Sequence, residues 1–142
     1  MNNIDQTAHD ALKKARLKPT QRLSVAEMGD KLIACLEEHK AEEITRIDLA
    51  GLTDIADEML VATGMSSRHV GALGDYALEC LKQSGWKNPN IEGKAVGDWV
   101  LIDAGDILIH LFKPEIRELY NIEKLWSEHR PNSENPEQPP QA

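Results

Sequence analysis

With 142 residues and a mass of 15.9 kDa, the chain has room for one hydrophobic core and not for a second independent one. Apolar side chains make up 41% and charged ones 28%, a balance that excludes disordered and membrane-spanning classes, and no apolar run approaches the roughly 20 residues that cross a bilayer. The net charge of −8 is concentrated in residues 24–130, where subtracting the tails from the totals of 16 basic and 24 acidic side chains leaves 11 against 20; such a body repels phosphate backbones, so little direct nucleic-acid contact is expected, and its acidity either attracts a basic protein or serves only to keep the chain in solution.

Residues 1–22 mix polarities around Pro19 and predict a flexible basic extension, in which Lys13, Lys14, Arg16 and Lys18 form a solvated arm or touch RNA. Met1 to Asp10 lacks the basic start and apolar stretch of a secretory signal, so a cytoplasmic location is expected. A helix starts at Ser24, which pairs with Glu27 as a capping box, and it carries Val25, Met28, Leu32 and Leu36 on one face to about Lys40. Ile44, Ile47 and Leu49 mark a first strand, broken by Gly51, Thr53 and Asp54. Met59 to Thr63 is a continuous apolar run ending at Gly64, as in a strand buried on both faces.

Ser66 or Ser67 caps a second helix with a stripe of Val70, Leu73, Ala77 and Leu81, and Gly85 ends it as a left-handed cap. Asn90 to Glu92 reads as a short strand. Trp99–Asp103 and Asp106–Phe112 read as two strands joined by Ala104-Gly105 in a tight hairpin. Pro114 opens a final helix through Tyr120, and Ile122 to Trp126 adds an apolar turn that packs back on the core. The proline-rich residues 131–142 cannot bury much apolar surface and read as a disordered tail. The order is α-β-β-α-β-β-β-α: one α/β domain over residues 23–130, with a mixed five-stranded sheet flanked by helices.

The nearest catalytic signal is Gly64-Met65-Ser66-Ser67, placed after a strand and before a helix, where backbone N–H groups can hold a phosphate. It lacks the Lys of a P-loop, and its serines also serve as plain helix caps. A metal-dependent nucleotidyltransferase is the enzyme alternative, since that chemistry couples a Gly-Ser turn to two carboxylates on one strand face that hold Mg²⁺. The candidates, Asp103 and Asp106, are three apart and lie across from one another at a hairpin end, which suits turn stabilisation instead. The expectation is a binding protein with no catalytic residue, no cofactor and no metal.

Cys35 and Cys80 lack a Cys-x-x-Cys spacing or a neighbouring His and read as reduced core thiols rather than a redox pair. His9, His39, His69 and His129 pair with no nucleophile, and His110, in the last strand, reads as a satisfied structural imidazole rather than a general base. Aromatics are only 4% of the chain, so Trp99 and Tyr120 stand out, as interface anchors or as core filling. Trp126 reads as core.

Several stretches together resemble the Iojap, or ribosomal silencing factor, family over roughly residues 25–127. They are Asp48-Leu49, Gly51-Leu52-Thr53, Ile55-Ala56-Asp57, Thr63 to Val70, Glu92-Gly93, Asp98 to Asp103, Gly105-Asp106, His110, Arg117 to Tyr120, and Leu125-Trp126. The resemblance implies a nucleotidyltransferase-like α/β fold without the catalytic carboxylates. It implies binding to the large ribosomal subunit through that subunit's fourteenth ribosomal protein, and a steric block of subunit joining that lowers translation when nutrients are scarce, together with a role in late large-subunit assembly. Carried over by position, it makes Trp99 the apolar anchor of the docking surface, Asp103 and Asp106 the groups facing basic side chains, and Arg117 and Tyr120 further contacts. Ala104 stands at the hairpin tip where the family commonly has Leu, removing about 1 to 2 kcal/mol of apolar contact if the tip is fully buried. Glu58 and Met59 also replace the aromatic or apolar pair common in the family. A homodimeric scaffold using the same apolar hairpin face is a further alternative.

Overall fold

The computed structural model describes residues 23–127, and Ser24 caps the first helix in it. The Ser24 hydroxyl accepts from the Glu27 N–H at 3.1 Å, and the Glu27 carboxylate accepts from the Ser24 N–H at 3.0 Å. Two donors with no partner inside the helix are thereby satisfied reciprocally. The helix that follows, α1 (Val25–Glu38), buries Met28, Leu32 and Leu36 along one stripe. Strand β1 (Glu42–Asp48) comes next, then β2 (Glu58–Thr63), in which every residue after Glu58 is buried.

Helix α2 (Ser67–Gln83) is capped by Ser66, whose side chain accepts from the His69 N–H, and is followed by Gly85 at φ +98. The chain then forms β3 (Asn90–Glu92), β4 (Trp99–Asp103) and β5 (Ile107–Phe112), and ends in two short helices, α3 (Pro114–Tyr120) and α4 (Ile122–Ser127). The sheet order is β1-β2-β5-β4-β3. Only the β2–β5 pair is parallel, so the five-stranded sheet is mixed, as the sequence predicts. The parallel pair sits at the centre, with a neighbour on each side, which explains the unbroken apolar runs of β2 and β5.

Strand alternation sends side chains to two cores. Val100, Ile102, Ile107, Ile109 and Leu111 pack under α1 and α2, against Leu32, Leu36, Leu73 and Leu81. Each fully buried residue of this kind contributes about 1.5 to 3 kcal/mol relative to exposure. On the opposite face Ile47, Met59, Val61 and Phe112 form a smaller cluster, covered by Ile116, Ile122 and Trp126 from α3 and α4. Trp126 is partly buried and packs against this cluster, in line with the expected core packing. Glu58 and Met59 open β2, a central strand, with Met59 buried.

Two details differ from the sequence reading. The hairpin turns on Gly105 and Asp106 rather than on Ala104 and Gly105, because Ala104 N–H donates to the Ile107 carbonyl at 3.0 Å and Asp103 pairs with Leu108. Gly105, at φ +88, takes the first central position of the turn, as in a type II′ hairpin where glycine is required. Asp103 and Asp106 are consequently not cross-strand partners. The apolar turn after Tyr120 is a separate helix, set off by Asn121 in the left-handed conformation. The basic extension over 1–22 and the tail over 131–142 lie outside the described residues.

Candidate functional site

The smaller core is incompletely covered, and its open half is where Trp99 and Tyr120 meet, with Asp103 on the same face of β4. On β4 the side chains of Trp99, Leu101 and Asp103 point to this face, and across the ladder stand Phe112, His110 and Leu108. Helices α3 and α4 cover Phe112, while Trp99, Leu101 and Leu108 remain half-buried. Tyr120, at the end of α3, is 54% exposed and its ring centroid lies 4.8 Å from that of Trp99. Trp99 also meets Phe112 at 4.9 Å. Trp99 is thus only half-buried: the indole packs against the core and is not fully enclosed by it.

The hairpin at the end of these strands supplies the acidic groups. Asp103 is exposed, and its Oδ1 accepts from the Gly105 N–H at 2.9 Å, which stabilises the turn. Asp106 is half-buried, and its backbone carbonyl accepts from the N–H groups of Asp57 at 2.8 Å and Glu58 at 3.2 Å, pinning the turn to the start of β2. Ala104 packs with the core under α1 and α2 rather than beside Trp99.

Arg117 has a different setting from the one the resemblance implies. It is only 7% exposed. Its Nε donates to Glu123 at 2.9 Å, Nη1 to the Glu43 carbonyl at 2.6 Å and to Thr63 Oγ1 at 2.8 Å, and Nη2 to Thr45 Oγ1 at 3.0 Å. The fork therefore ties α3 and α4 to β1 and β2, and acts on the aromatic face by holding its cover in place.

Three features were not legible beforehand. His110 accepts from the Trp99 indole N–H at 3.0 Å through Nδ1, and burial pulls its imidazole down to about 4, with Glu123 acting in the opposite direction. Leu101 and Leu108 follow from strand alternation once the hairpin is placed, although nothing in their identity shows that they stay half-open. Cys35 and Cys80 meet between α1 and α2: burial and then the Cys80 thiol push Cys35 up to about 11, and burial raises Cys80 as well. Both thiols therefore hold their protons, as reduced core residues do.

The Gly-Ser turn is closed by its own side chains. Ser66 Oγ accepts from the His69 N–H at 3.0 Å, His69 Nδ1 accepts from the Met65 N–H at 3.0 Å, and His69 Nε2 is 2.9 Å from the His39 carbonyl. With Nδ1 as acceptor, Nε2 carries the proton and donates to that carbonyl. The two helices are thus linked at this corner. Among the described residues no group of three or more His, Cys, Asp or Glu side chains is placed to hold a metal ion, and no helix is long and apolar enough to cross a membrane.

Residues 22–142 match the family described as "Ribosomal silencing factor during starvation". The chain is 47% identical over 91 residues to the ribosomal silencing factor of Zymomonas mobilis, covering 64% of this chain and 68% of that one. It is 31% identical over 126 residues to the mouse protein "Mitochondrial assembly of ribosomal large subunit protein 1", covering 87% of this chain and 54% of the mouse protein. A crystal structure of a Chromobacterium violaceum protein is similar with a TM-score of 0.72 at 35% identity, covering 82% of this chain and all of that one.

Proposed function

Because the chain belongs to the ribosomal silencing factor family, we propose that it docks on the large ribosomal subunit through the fourteenth ribosomal protein and blocks the small subunit by its bulk. The observation that carries this reading is the half-open aromatic face, where Trp99 and Tyr120 meet at a tilt beside Leu101 and Leu108 and an acidic hairpin stands at the edge. Large rings that are partly buried before binding lose little conformational freedom on contact, and rings of this kind commonly dominate interface energies. The acidic body adds steering toward a basic partner, since most of the chain's negative charge lies in residues 24–130. Steric occupancy needs no reacting group, and the relatives are named as silencing factors rather than as enzymes. Reduced translation under nutrient limitation and participation in large-subunit assembly follow from the same occupancy.

Trp99→Ala combined with Asp106→Lys removes the anchor and inverts a charge at the hairpin. The double variant is expected to keep its far-ultraviolet circular dichroism and to lose co-sedimentation with purified large subunits. A folded double variant that co-sediments as the parent does shows that the surface is assigned wrongly.

A further inference from the structure

A tryptophan at the edge of a core is free to turn about its side-chain torsions unless something fixes the ring. Here the indole N–H donates to His110 Nδ1 at 3.0 Å, reaching diagonally across the ladder because Trp99 pairs with Phe112 and Leu101 with His110. The imidazole is itself held: it is 7% exposed and lies nearly parallel to Phe112, at an interplanar angle of 6° and a centroid separation of 5.8 Å. Since Nδ1 is the acceptor, the ring is neutral with its proton on Nε2.

The Glu123 carboxylate acts on the imidazole electrostatically. The Oε2 of Glu123 accepts from Arg117, and its buried Oε1 has no hydrogen-bond partner. Glu123 is thus hydrogen-bonded to Arg117 and acts on His110 through its charge, while His110 alone bonds the indole. An aliphatic side chain at position 110 would fill this space without the desolvation that a buried imidazole suffers. What histidine adds there is one acceptor, aimed at the indole N–H.

We propose that His110 is the positioning residue of the docking face, fixing the Trp99 indole against Tyr120 before the ribosomal partner arrives. This rests on the docking reading above. A preset ring meets its partner without the loss of freedom that a swinging one suffers, so the bond strengthens binding without touching the partner.

The test uses the full-length chain carrying His110→Leu, which removes the acceptor, and His110→Asn, whose side-chain oxygen takes the place of Nδ1. Each is measured for large-subunit affinity and for the indole N–H resonances in a ¹⁵N spectrum. His110→Leu is expected to move the Trp99 resonance, to leave those of Trp86 and Trp126 in place, and to weaken binding about tenfold, the equivalent of one hydrogen bond. His110→Asn is expected to recover most of both signals. In a Trp99→Phe background, which has no N–H to hold, His110→Leu is expected to cost nothing further.

An equal loss in both backgrounds means that His110 acts as general packing and overturns the proposal. So does normal binding by His110→Leu when Trp99→Ala fails to bind. Should His110→Leu not fold, His110→Asn decides, because loss of binding with an unmoved Trp99 resonance also overturns it. If Trp99→Ala binds normally, the docking reading itself falls and this proposal falls with it.

Discussion

Replacing Arg117 with Ala tests whether the fork is a clamp or a contact. The substitution removes four donor bonds and deprives the Glu123 carboxylate, one oxygen of which already lacks a hydrogen-bond partner, of the Arg117 guanidinium. Stranding one member of a buried ion pair costs about 3 to 5 kcal/mol. The Glu123 side chain is 26% exposed, and screening lowers the expected loss to about 2 to 4 kcal/mol. Against a typical total stability of about 5 to 15 kcal/mol that is a large fraction, and it corresponds to a fall in Tm of roughly 10 to 25 °C for a domain of this size.

Urea unfolding followed by circular dichroism measures the loss directly. Arg117→Lys keeps the charge but not the planar fork, and is expected to recover less than half of it. Combining Arg117→Met with Glu123→Leu removes both charges, and is expected to lie closer to the parent than Arg117→Ala does, because no unpaired carboxylate remains. If the pair is no more stable than Arg117→Ala, or if Arg117→Ala loses less than about 1 kcal/mol, the clamp is refuted. An equally stable Arg117→Ala that no longer binds large subunits would return Arg117 to the partner surface.

Three further outcomes follow from other sites. Burial holds His110 down from 6.5 to about 4, so the unfolded chain binds more protons between those values. The stability it contributes is complete above pH 6.5 and disappears as pH falls toward 4, roughly 3 kcal/mol in all; urea titrations of the parent and His110→Leu should diverge across that window, and parallel curves would contradict the burial argument. Gly93, at φ +88, has no room for a Cβ because the Trp99 carbonyl oxygen occupies its place. Gly93→Ala should cost about 2 to 4 kcal/mol, against about 1 kcal/mol for Gly105→Ala, where space is open; equal losses in thermal melts would show that backbone strain alone matters. The Cys35 thiol, pushed up to about 11, should react with maleimide at pH 7.5 about a hundredfold more slowly than a free cysteine, and labelling at the free rate would show that the α1–α2 contact opens in solution.

Local patterns carried the elements and long-range pairings did not. Ser24 and Glu27 are three residues apart, so their reciprocal bonds can be read from the chain directly. The strands at 90–92 and 99–103 could be read because their residues alternate between turn signals. The hairpin was displaced by one residue because the sequence shows a short gap between two apolar runs without saying which two residues fill it; Gly105 decides, since only it readily takes the positive φ of the first turn position. Helix α4 is six residues long, too short for a helical period to emerge.

The same distinction governs the docking face. Alternation puts Trp99, Leu101 and Asp103 on one side of β4, whereas the extent of cover depends on where α3 and α4 come to rest. Arg117 resembles a surface arginine in sequence, because Glu43, Thr45 and Thr63 lie 54 to 74 residues away from it. In sequence His110 reads as a satisfied structural imidazole, and its bond to Trp99 fits that description while adding a direction that no single-strand pattern contains.

The most direct test mixes purified large and small subunits at a magnesium concentration that favours joining, and follows association by light scattering with and without saturating amounts of the chain. The account requires the association signal to fall as large subunits are occupied, and to recover when the Trp99→Ala, Asp106→Lys variant replaces the parent. Subunits that join at the same rate and to the same extent in the presence of the bound parent chain would contradict it.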